Sequence, residues 1–290
     1  MNIVIDNDAG FCFGVKKAVD HAEAYLHSHD KLFCLGDIVH NEIEVDRLQK
    51  LGLIIINREQ FHTLKNETVL IRAHGEPGET YETAIRNNIK LIDATCPLVL
   101  RLQKSVKEAG RSFEKNPQII IYGKSTHPEV VALKSQAPEQ VMVVNEFADL
   151  NQIDFTKPIK LFSQTTKDKN MLFALKHEIQ KRIKHAAGPD LEFNDTICKQ
   201  VHNRNDSLKT FCSKHQVVIF VGGKKSSNAR VLYDICKSSN ERSYFISNEQ
   251  EVESAWLKNT DSVGISGATS TPSWLLEKVK EKIQIMLPVD

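Results

Sequence analysis

The feature that most limits the fold of this chain is a repeated alternation of short apolar strands with amphipathic helical segments along its 290 residues. Such alternation is typical of parallel α/β architecture, in which loops at the carboxyl ends of the strands carry ligand sites. Helices are predicted at Gly14–His29, near Glu42–Leu51, around Thr80–Asn87, at about Lys167–Ala186 and at about Ser273–Met286. The predicted strands are Asn2–Ile5, Lys31–Leu35, Leu53–Ile56, Thr68–Ile71, Lys90–Ile92, Gln118–Tyr122, Gln140–Val144, Pro158–Phe162, Gln216–Val221, Arg242–Ile246 and Asp261–Ile265.

Charge and targeting signals limit the class of protein. The formal net charge is +1, so an anionic ligand would need a local site and no nucleic-acid partner is expected. No apolar run has the length of a transmembrane helix, and the N-terminal sequence lacks the apolar region of a signal peptide. We therefore expect a cytoplasmic protein with no membrane partner, whose six cysteines serve metal or redox chemistry rather than disulfides.

Three cysteines share one position relative to the predicted elements. Cys96 follows a buried strand and precedes Pro97, which suits the first turn of a helix. Cys12 and Cys198 also precede helical patterns. Unpaired N–H groups and the helix dipole favour a thiolate there, which prepares a cysteine as a ligand or nucleophile. One such cysteine alone would more often fill a small buried gap.

Polar loops repeat in the same order as these cysteines. Gly36, Gly123 and Gly222 each come directly after a predicted strand, and each is followed four residues later by a polar loop. The recurrence favours three similar α/β domains with small, mainly parallel sheets, at residues 1–97, 98–193 and 194–290. For the N-terminal strand and the Cys12 loop, packing with the third domain stays open. The alternative is one large doubly wound sheet whose loops are polar by chance.

The spacing of the cysteines indicates the kind of metal site. No Cys-x-x-Cys pair occurs, which disfavours a structural zinc site. Three widely separated thiolates suit an iron–sulfur cluster, and a cubane with three protein ligands leaves one iron open to polarise a substrate oxygen. Cys34, Cys212 and Cys236 lack the loop placement and are predicted to be buried packing residues.

A second set of polar side chains suits a phosphate or diphosphate, because several hydrogen bonds to a charged group hold a small anion without a basic surface. Glu129 is the carboxylate near this set with an obvious acid–base role, although the helix dipole alone would also favour a glutamate there. No complete P-loop or G-x-G-x-x-G motif occurs. The polar set is His40, His74, His127, Ser226, Ser227, Asn228 and Ser270. The histidines expected on solvated helix faces are His21, His27, His29, His177, His185, His202 and His215.

These motifs together resemble the 4-hydroxy-3-methylbut-2-enyl diphosphate reductase family over essentially the whole chain. The segment Ser266-Gly267-Ala268-Thr269 differs from the family's usual order. The strings that carry the resemblance are Gly10-Phe11-Cys12-Phe13-Gly14-Val15, Gly36-Asp37-Ile38-Val39-His40-Asn41, Arg72-Ala73-His74-Gly75, Asp93-Ala94-Thr95-Cys96-Pro97-Leu98-Val99, His127-Pro128-Glu129-Val130, Gln164-Thr165-Thr166, Asp195-Thr196-Ile197-Cys198, Ser226-Ser227-Asn228 and Ser270-Thr271-Pro272.

The resemblance implies three α/β domains around a 4Fe–4S cluster held by Cys12, Cys96 and Cys198. It implies reductive removal of the substrate's hydroxyl group as water, with two electrons and two protons, which gives isopentenyl and dimethylallyl diphosphates. Glu129 would deliver protons, and Thr165 would orient the hydroxyl group and a proton relay. The polar set would contact the substrate, chiefly its diphosphate, and a reduced ferredoxin or flavodoxin would donate electrons. The alternatives are a zinc-dependent phosphohydrolase and a non-enzymatic iron–sulfur redox sensor.

Overall fold

A computed structural model describes residues 1–111 and 116–286, and the side chain of Ser227 lies outside the described part. The strands are β1 (Asn2–Ile5), β2 (Leu32–Leu35), β3 (Leu53–Ile56), β4 (Thr68–Ile71), β5 (Lys90–Asp93), β6 (Gln118–Tyr122), β7 (Val141–Val144), β8 (Ile159–Ser163), β9 (Glu192–Phe193), β10 (Val217–Val221), β11 (Ser243–Ile246) and β12 (Ser262–Gly267). The α-helices are α1 (Phe13–Leu26), α2 (Glu42–Lys50), α3 (Arg58–Thr63), α4 (Gly78–Arg86), α5 (Pro97–Gly110), α6 (Pro128–Lys134), α7 (Lys169–His185), α8 (Lys199–Cys212), α9 (Ser227–Ser239) and α10 (Ser273–Met286). Short 3-10 helices occupy Phe147–Gln152, Glu249–Glu251 and Ser254–Leu257.

The chain divides into two compact units. The first contains Met1–Asn57 and Asn203–Asp290, and the second contains Arg58–His202. In the first unit, strand order β1-β12-β10-β11 forms a parallel sheet that pairs the N-terminal strand with the last one. Strands β2 and β3 pair in parallel in the same unit. The domain limits 1–97, 98–193 and 194–290 stay a prediction.

Strand β10 shows why this sheet is stable. Val217, Ile219 and Val221 pack into a core on one face, and Val218 and Phe220 pack into a core on the other. Because side chains alternate between the two faces of a strand, a continuous apolar run is buried on both sides, as in helix-covered parallel sheets.

The second unit has the same construction. Strand order β7-β6-β8-β9 forms a parallel sheet, and β4 pairs with β5 in parallel. Ile120 and Tyr122 of β6 face one core while Ile119 and Ile121 face the other. The predicted α/β architecture with small parallel sheets is confirmed. Within the described residues, no helix is both long and apolar enough to cross a membrane.

The structure differs from the sequence predictions in a few places. Helix α1 ends at Leu26 rather than His29, because Nδ1 of His29 bonds the carbonyl of Tyr25 and takes the place of a further helical turn. Strand β9 and helix α3 were not predicted. The strand has two residues and the helix six, which is too short for a pattern of apolar residues to indicate either element.

One of the histidines expected to be solvated is placed differently. His215 follows α8 instead of lying on its polar face, and its ring packs on Phe211 with the ring centroids 4.6 Å apart. Its Nδ1 is buried with no hydrogen-bond partner in the described part of the chain. The prediction of a solvated helix-face histidine is therefore wrong here. Cys34, Cys212 and Cys236 are fully buried, as predicted.

Candidate active site

The acidic residue predicted for proton transfer lies at the start of helix α6. Pro128 opens this helix, His127 caps it, and Glu129 occupies its first turn. Glu129 is only 1 % exposed. Its Oε1 accepts a 2.7 Å bond from the Thr165 N–H, and its Oε2 accepts a 2.9 Å bond from the Thr165 hydroxyl. The carboxyl group is therefore held in one orientation by a single residue.

Burial decides the protonation state of Glu129. Loss of hydration disfavours the ionised carboxylate and raises the pKa of Glu129 to about 7, although both bonds from Thr165 oppose the shift. A carboxyl group that titrates near neutral pH holds a proton for a large fraction of the time. That property suits a general acid.

Thr165 also contacts the predicted cysteine ligand of the same unit. Its carbonyl oxygen accepts a 2.8 Å bond from the N–H of Cys198. Nearby, Oγ1 of Thr196 donates to the Ser163 carbonyl at 2.7 Å and accepts from the Ser163 N–H at 2.8 Å. The segment that ends at Cys198 is thus tied to the end of β8, and the buried acid is connected to Cys198 through one residue.

Two of the predicted histidines are neighbours. The rings of His74 and His127 meet edge to face, with centroids 5.2 Å apart. The N–H of Glu129 donates to Nδ1 of His127 at 3.2 Å, so the ring proton of neutral His127 resides on Nε2. The Nε2–H of neutral His127 is therefore a hydrogen-bond donor beside His74.

Cys96 is fixed next to the His74 loop. It caps α5, Pro97 opens that helix, and the N–H of Cys96 donates to the Ala73 carbonyl at 3.0 Å. The loop turns at Gly75, which has φ +73°, and a Cβ there would lie 2.6 Å from Nε2 of Gln103. The positive φ, a backbone conformation that other residues rarely adopt, explains why glycine is needed here.

In the first unit, Cys12 caps helix α1. Its N–H donates to the Thr269 carbonyl at 3.1 Å, which places the Cys12 loop beside the loop that carries Ser270. Gly10 allows this approach with φ +119°. The three predicted ligands Cys12, Cys96 and Cys198 are all partly exposed, and none of the six cysteines forms a disulfide.

The predicted diphosphate residues of this unit lie on neighbouring loops. Ser226 caps α9 by accepting from the Ala229 N–H, and Asn228 donates to the Thr269 hydroxyl at 2.9 Å. The hydroxyl oxygen of Ser270 is buried and has no partner in the described part of the chain. A buried hydroxyl without a partner is costly, so this atom suits a bound ligand. The predicted contact of the Ser227 side chain lies outside the described part of the chain.

His40 belongs to a further loop of the first unit. A Cβ on Gly223 would lie 2.4 Å from the His40 carbonyl oxygen, so the glycine permits the two loops to touch. A cavity of about 380 Å³ is lined by His40, Asn41 and Lys225 among others. Asn41 was not singled out from the sequence, yet it is 1 % exposed and its Nδ2 has no partner among the described residues. The sequence signal for Asn41 is its place at the end of the motif Gly36–Asn41, directly after His40.

The described part of the chain contains no ready-made cluster of metal-binding side chains. Among the described residues, no group of three His, Cys, Asp or Glu side chains is arranged to hold a metal ion. The donor chemistry nevertheless fits an iron–sulfur group, since Cys12 and Cys96 cap helices and Cys198 directly precedes one.

Comparison with known proteins supports one family. The family model described as LytB protein matches residues 3–284. The chain is 48 % identical over 291 residues to 4-hydroxy-3-methylbut-2-enyl diphosphate reductase of Bacteroides thetaiotaomicron, covering 99 % of both chains. It is 45 % identical over 308 residues to the enzyme of that name from Chloroherpeton thalassium, covering 98 % and 96 % of the two chains.

Solved structures agree with this result. One, of (E)-4-hydroxy-3-methyl-but-2-enyl diphosphate reductase, the terminal enzyme of the non-mevalonate pathway, matches with TM-score 0.78 and 34 % identity over 98 % and 99 % of the two chains. Another, the E-1-hydroxy-2-methyl-but-2-enyl-4-diphosphate reductase of Plasmodium falciparum, matches with TM-score 0.81 and 26 % identity over 97 % and 87 %. The chain therefore belongs to the LytB protein family, in which these relatives are named 4-hydroxy-3-methylbut-2-enyl diphosphate reductases.

Proposed function

We propose that this protein is an oxidoreductase that removes the hydroxyl group of 4-hydroxy-3-methylbut-2-enyl diphosphate as water, giving isopentenyl and dimethylallyl diphosphates. The observation that carries the proposal is the connection through Thr165, which binds the buried Glu129 carboxyl group and accepts from the N–H of Cys198. A reductive dehydroxylation needs both protons and electrons, and this connection places a proton donor close to a proposed ligand of the electron-supplying group. Near-complete alignment with reductases of that name supports the same reaction.

The cofactor in this proposal is one 4Fe–4S cluster held by Cys12, Cys96 and Cys198, with one iron left open. Such a cluster supplies electrons one at a time and a Lewis-acidic iron. Thiolates are its normal ligands, and all three cysteines are partly exposed thiols at the starts of helices. Cys34, Cys212 and Cys236 are fully buried and are left out of the ligand set.

Proton delivery is assigned to Glu129 and Thr165. The Thr165 hydroxyl lies 2.9 Å from Oε2 of Glu129 and can pass a proton from the carboxyl group to the departing hydroxyl of the substrate. Burial raises the pKa of Glu129 to about 7, so a substantial fraction of the group carries a proton at neutral pH. The same burial excludes water that would compete for the proton.

Binding of the diphosphate is assigned to donors on several loops. His127 presents an Nε2–H, because its Nδ1 accepts from the Glu129 backbone. The buried hydroxyl of Ser270 is available for a phosphate oxygen. Hydrogen bonds to a charged group stabilise it by roughly 1.5–3 kcal/mol each, so a few suffice without a basic surface. The remaining residues proposed to contact the substrate are His40, His74, Thr165, Ser226, Ser227 and Asn228.

Electrons are proposed to come from a reduced ferredoxin or flavodoxin in the cytoplasm. A net charge of +1 favours neither nucleic acid nor an anionic surface as a further partner. The polar loops are instead proposed to bind a small molecule that carries a diphosphate.

The decisive experiment is anaerobic turnover of the hydroxylated diphosphate with a chemical reductant, together with iron, sulfide and zinc analysis. We expect a brown protein with iron and acid-labile sulfide that forms both isomeric products. An active but iron-free preparation would rule the proposal out. Stoichiometric zinc with release of phosphate would favour a phosphohydrolase, and iron without turnover would favour a redox sensor.

A further inference from the structure

A buried cluster of charged and polar side chains lies in the first unit, apart from the residues assigned above. Nη2 of Arg204 bonds Oδ2 of Asp6 at 2.7 Å and the hydroxyl of Ser266 at 2.6 Å, and that hydroxyl donates to the same Asp6 oxygen at 3.0 Å. Arg204 is 3 % exposed, Asp6 7 % and Ser266 0 %. Full charges so deeply buried are costly unless paired, so each member depends on the others.

The cluster joins three elements whose ends carry proposed site residues. Asp6 directly follows β1 and leads to Cys12, Ser266 lies in β12 and leads to Ser270, and Arg204 belongs to α8. The Asp6 carboxylate also shapes its own loop, because Oδ1 accepts from the N–H of Asp8 at 3.1 Å. The ion pair is therefore part of the turn that brings the chain to Cys12.

The two loops also contact each other beyond the cluster. The N–H of Cys12 donates to the Thr269 carbonyl at 3.1 Å, one residue before Ser270. A movement of Asp6 or Ser266 would therefore be transmitted to both loops. The segment Ser266-Gly267-Ala268-Thr269, which differs from the family's usual order, thus begins with the hydroxyl that completes the charge cluster.

We propose that Arg204 and Asp6, with Ser266, are positioning residues that fix the Cys12 loop and the Ser270 loop relative to each other. Loss of the Arg204–Asp6 pair weakens both the retention of the iron–sulfur cluster and the binding of the diphosphate. This inference rests on the proposed function, since it concerns the same ligand and substrate residues.

The test compares Arg204→Gln with a matched control, Arg242→Gln. Arg242 belongs to the same unit, and its guanidinium bonds the Trp256 carbonyl and the Thr260 hydroxyl at 2.9 Å each. Both proteins are reconstituted anaerobically, and iron loss to a chelator, KM for the hydroxylated diphosphate and the melting temperature are measured. We expect iron loss about tenfold faster and KM about tenfold higher in Arg204→Gln. Arg242→Gln is expected to keep both values within about twofold of wild type, because its partners Trp256 and Thr260 belong to neither the Cys12 loop nor the Ser270 loop.

Further variants keep the outcome decisive. Ser266→Ala removes only a hydroxyl group and answers the question if Arg204→Gln does not fold; we expect a smaller shift of iron loss and KM in the same direction. The double variant Asp6→Asn with Arg204→Gln is expected to lose iron no faster than Arg204→Gln, because no uncompensated charge remains.

Two results would overturn the inference. One is wild-type iron loss and KM in Arg204→Gln or Ser266→Ala; with a lower melting temperature this would make the charged cluster merely structural, and with an unchanged one it would leave the charged cluster no role. The other is an increase of iron loss and KM in Arg242→Gln that is as large as in Arg204→Gln. Failure of the wild-type protein to bind iron would instead contradict the proposed function, so the two failures are distinguishable.

Discussion

At the scale of single residues, Glu129 shows how position alone converts an ordinary carboxyl group into an acid for neutral pH. Its side chain is 1 % exposed, and among the described residues its two oxygens accept from Thr165 alone. Desolvation exceeds the effect of those two bonds, so the pKa of Glu129 rises to about 7. The same glutamate on an exposed helix turn would be ionised and would have no proton to give.

Glu129→Gln is expected to lower kcat by about 10²–10⁴-fold, the usual contribution of a general acid. Glutamine keeps the size of the side chain and an oxygen that accepts from Thr165, so substrate affinity should change little. Steady-state kinetics and a direct measurement of substrate dissociation separate the two effects. The control is Glu79→Gln, an acidic residue in the first turn of α4 that bears no role in the proposed site. Unchanged turnover in Glu129→Gln would remove this residue from proton delivery.

The pH dependence of kcat is expected to report the same group. Protonated Glu129 is the active form, so kcat should be maximal below a pH of about 7 and fall as the pH rises through that value. The bond from the Thr165 hydroxyl lowers the pKa of Glu129. Thr165→Val should therefore move the falling limb to higher pH, whereas Thr165→Ser, which keeps the hydroxyl, should leave it in place. If the falling limb of the kcat–pH profile stays at the same pH in Thr165→Val, the assignment of that limb to Glu129 is contradicted.

At the scale of elements, the loops that follow the strands position the site. The turn at Gly75 with φ +73° brings His74 beside the start of α5, where Cys96 bonds the Ala73 carbonyl. Cys12 and Ser270 depend in the same way on the ends of β1 and β12. Short parallel strands therefore serve chiefly as supports for the segments that follow them.

Gly75→Ala is expected to destabilise the protein by about 1–3 kcal/mol, because the backbone conformation is strained for alanine and the new Cβ would lie 2.6 Å from the Gln103 amide. The control is Gly78→Ala at the start of α4, where an added Cβ would have no neighbour within 4 Å. That variant should be neutral or slightly more stable. Denaturant unfolding measures the free energy of unfolding of both variants. Equal values for Gly75→Ala and Gly78→Ala would show that stability does not depend on glycine at position 75.

At the scale of the whole molecule, three cysteines distributed along the sequence are proposed to serve one cofactor. Cys12, Cys96 and Cys198 stand 84 and 102 positions apart in the chain. Under this proposal, the separation requires that much of the chain fold before the cofactor site is assembled. Loop closure over these distances costs entropy that must be offset by packing elsewhere.

Replacement of Cys12, Cys96 or Cys198 by serine is expected to abolish stable iron binding, since each removes one thiolate ligand. The matched control is Cys34→Ala, which alters a fully buried cysteine that is proposed to serve packing only. Iron and acid-labile sulfide per chain, measured after anaerobic reconstitution, distinguish the two classes. Full iron content in any one of the three serine variants would remove that cysteine from the ligand set.

Much of the fold could be predicted from the sequence because its information is local. Apolar runs and helical periods placed β1 at Asn2–Ile5 and α10 at Ser273–Met286 with the bounds that the structure has. A cysteine followed by proline indicated the cap of α5. The predicted site side chains His127, Glu129 and Thr165 were chosen from motifs, and the structure joins the acid to Thr165 and Thr165 to Cys198.

The chemical state of those residues was decided by the tertiary structure. Glu129 and Thr165 are 36 positions apart, and no periodicity of the sequence indicates that a hydroxyl and an N–H from one will orient the carboxyl group of the other. Likewise, the burial of Arg204 with Asp6 depends on elements almost 200 positions apart. Secondary structure follows from local backbone and side-chain preferences. Desolvation, which sets pKa values and makes buried pairs depend on each other, exists only after distant segments have packed together.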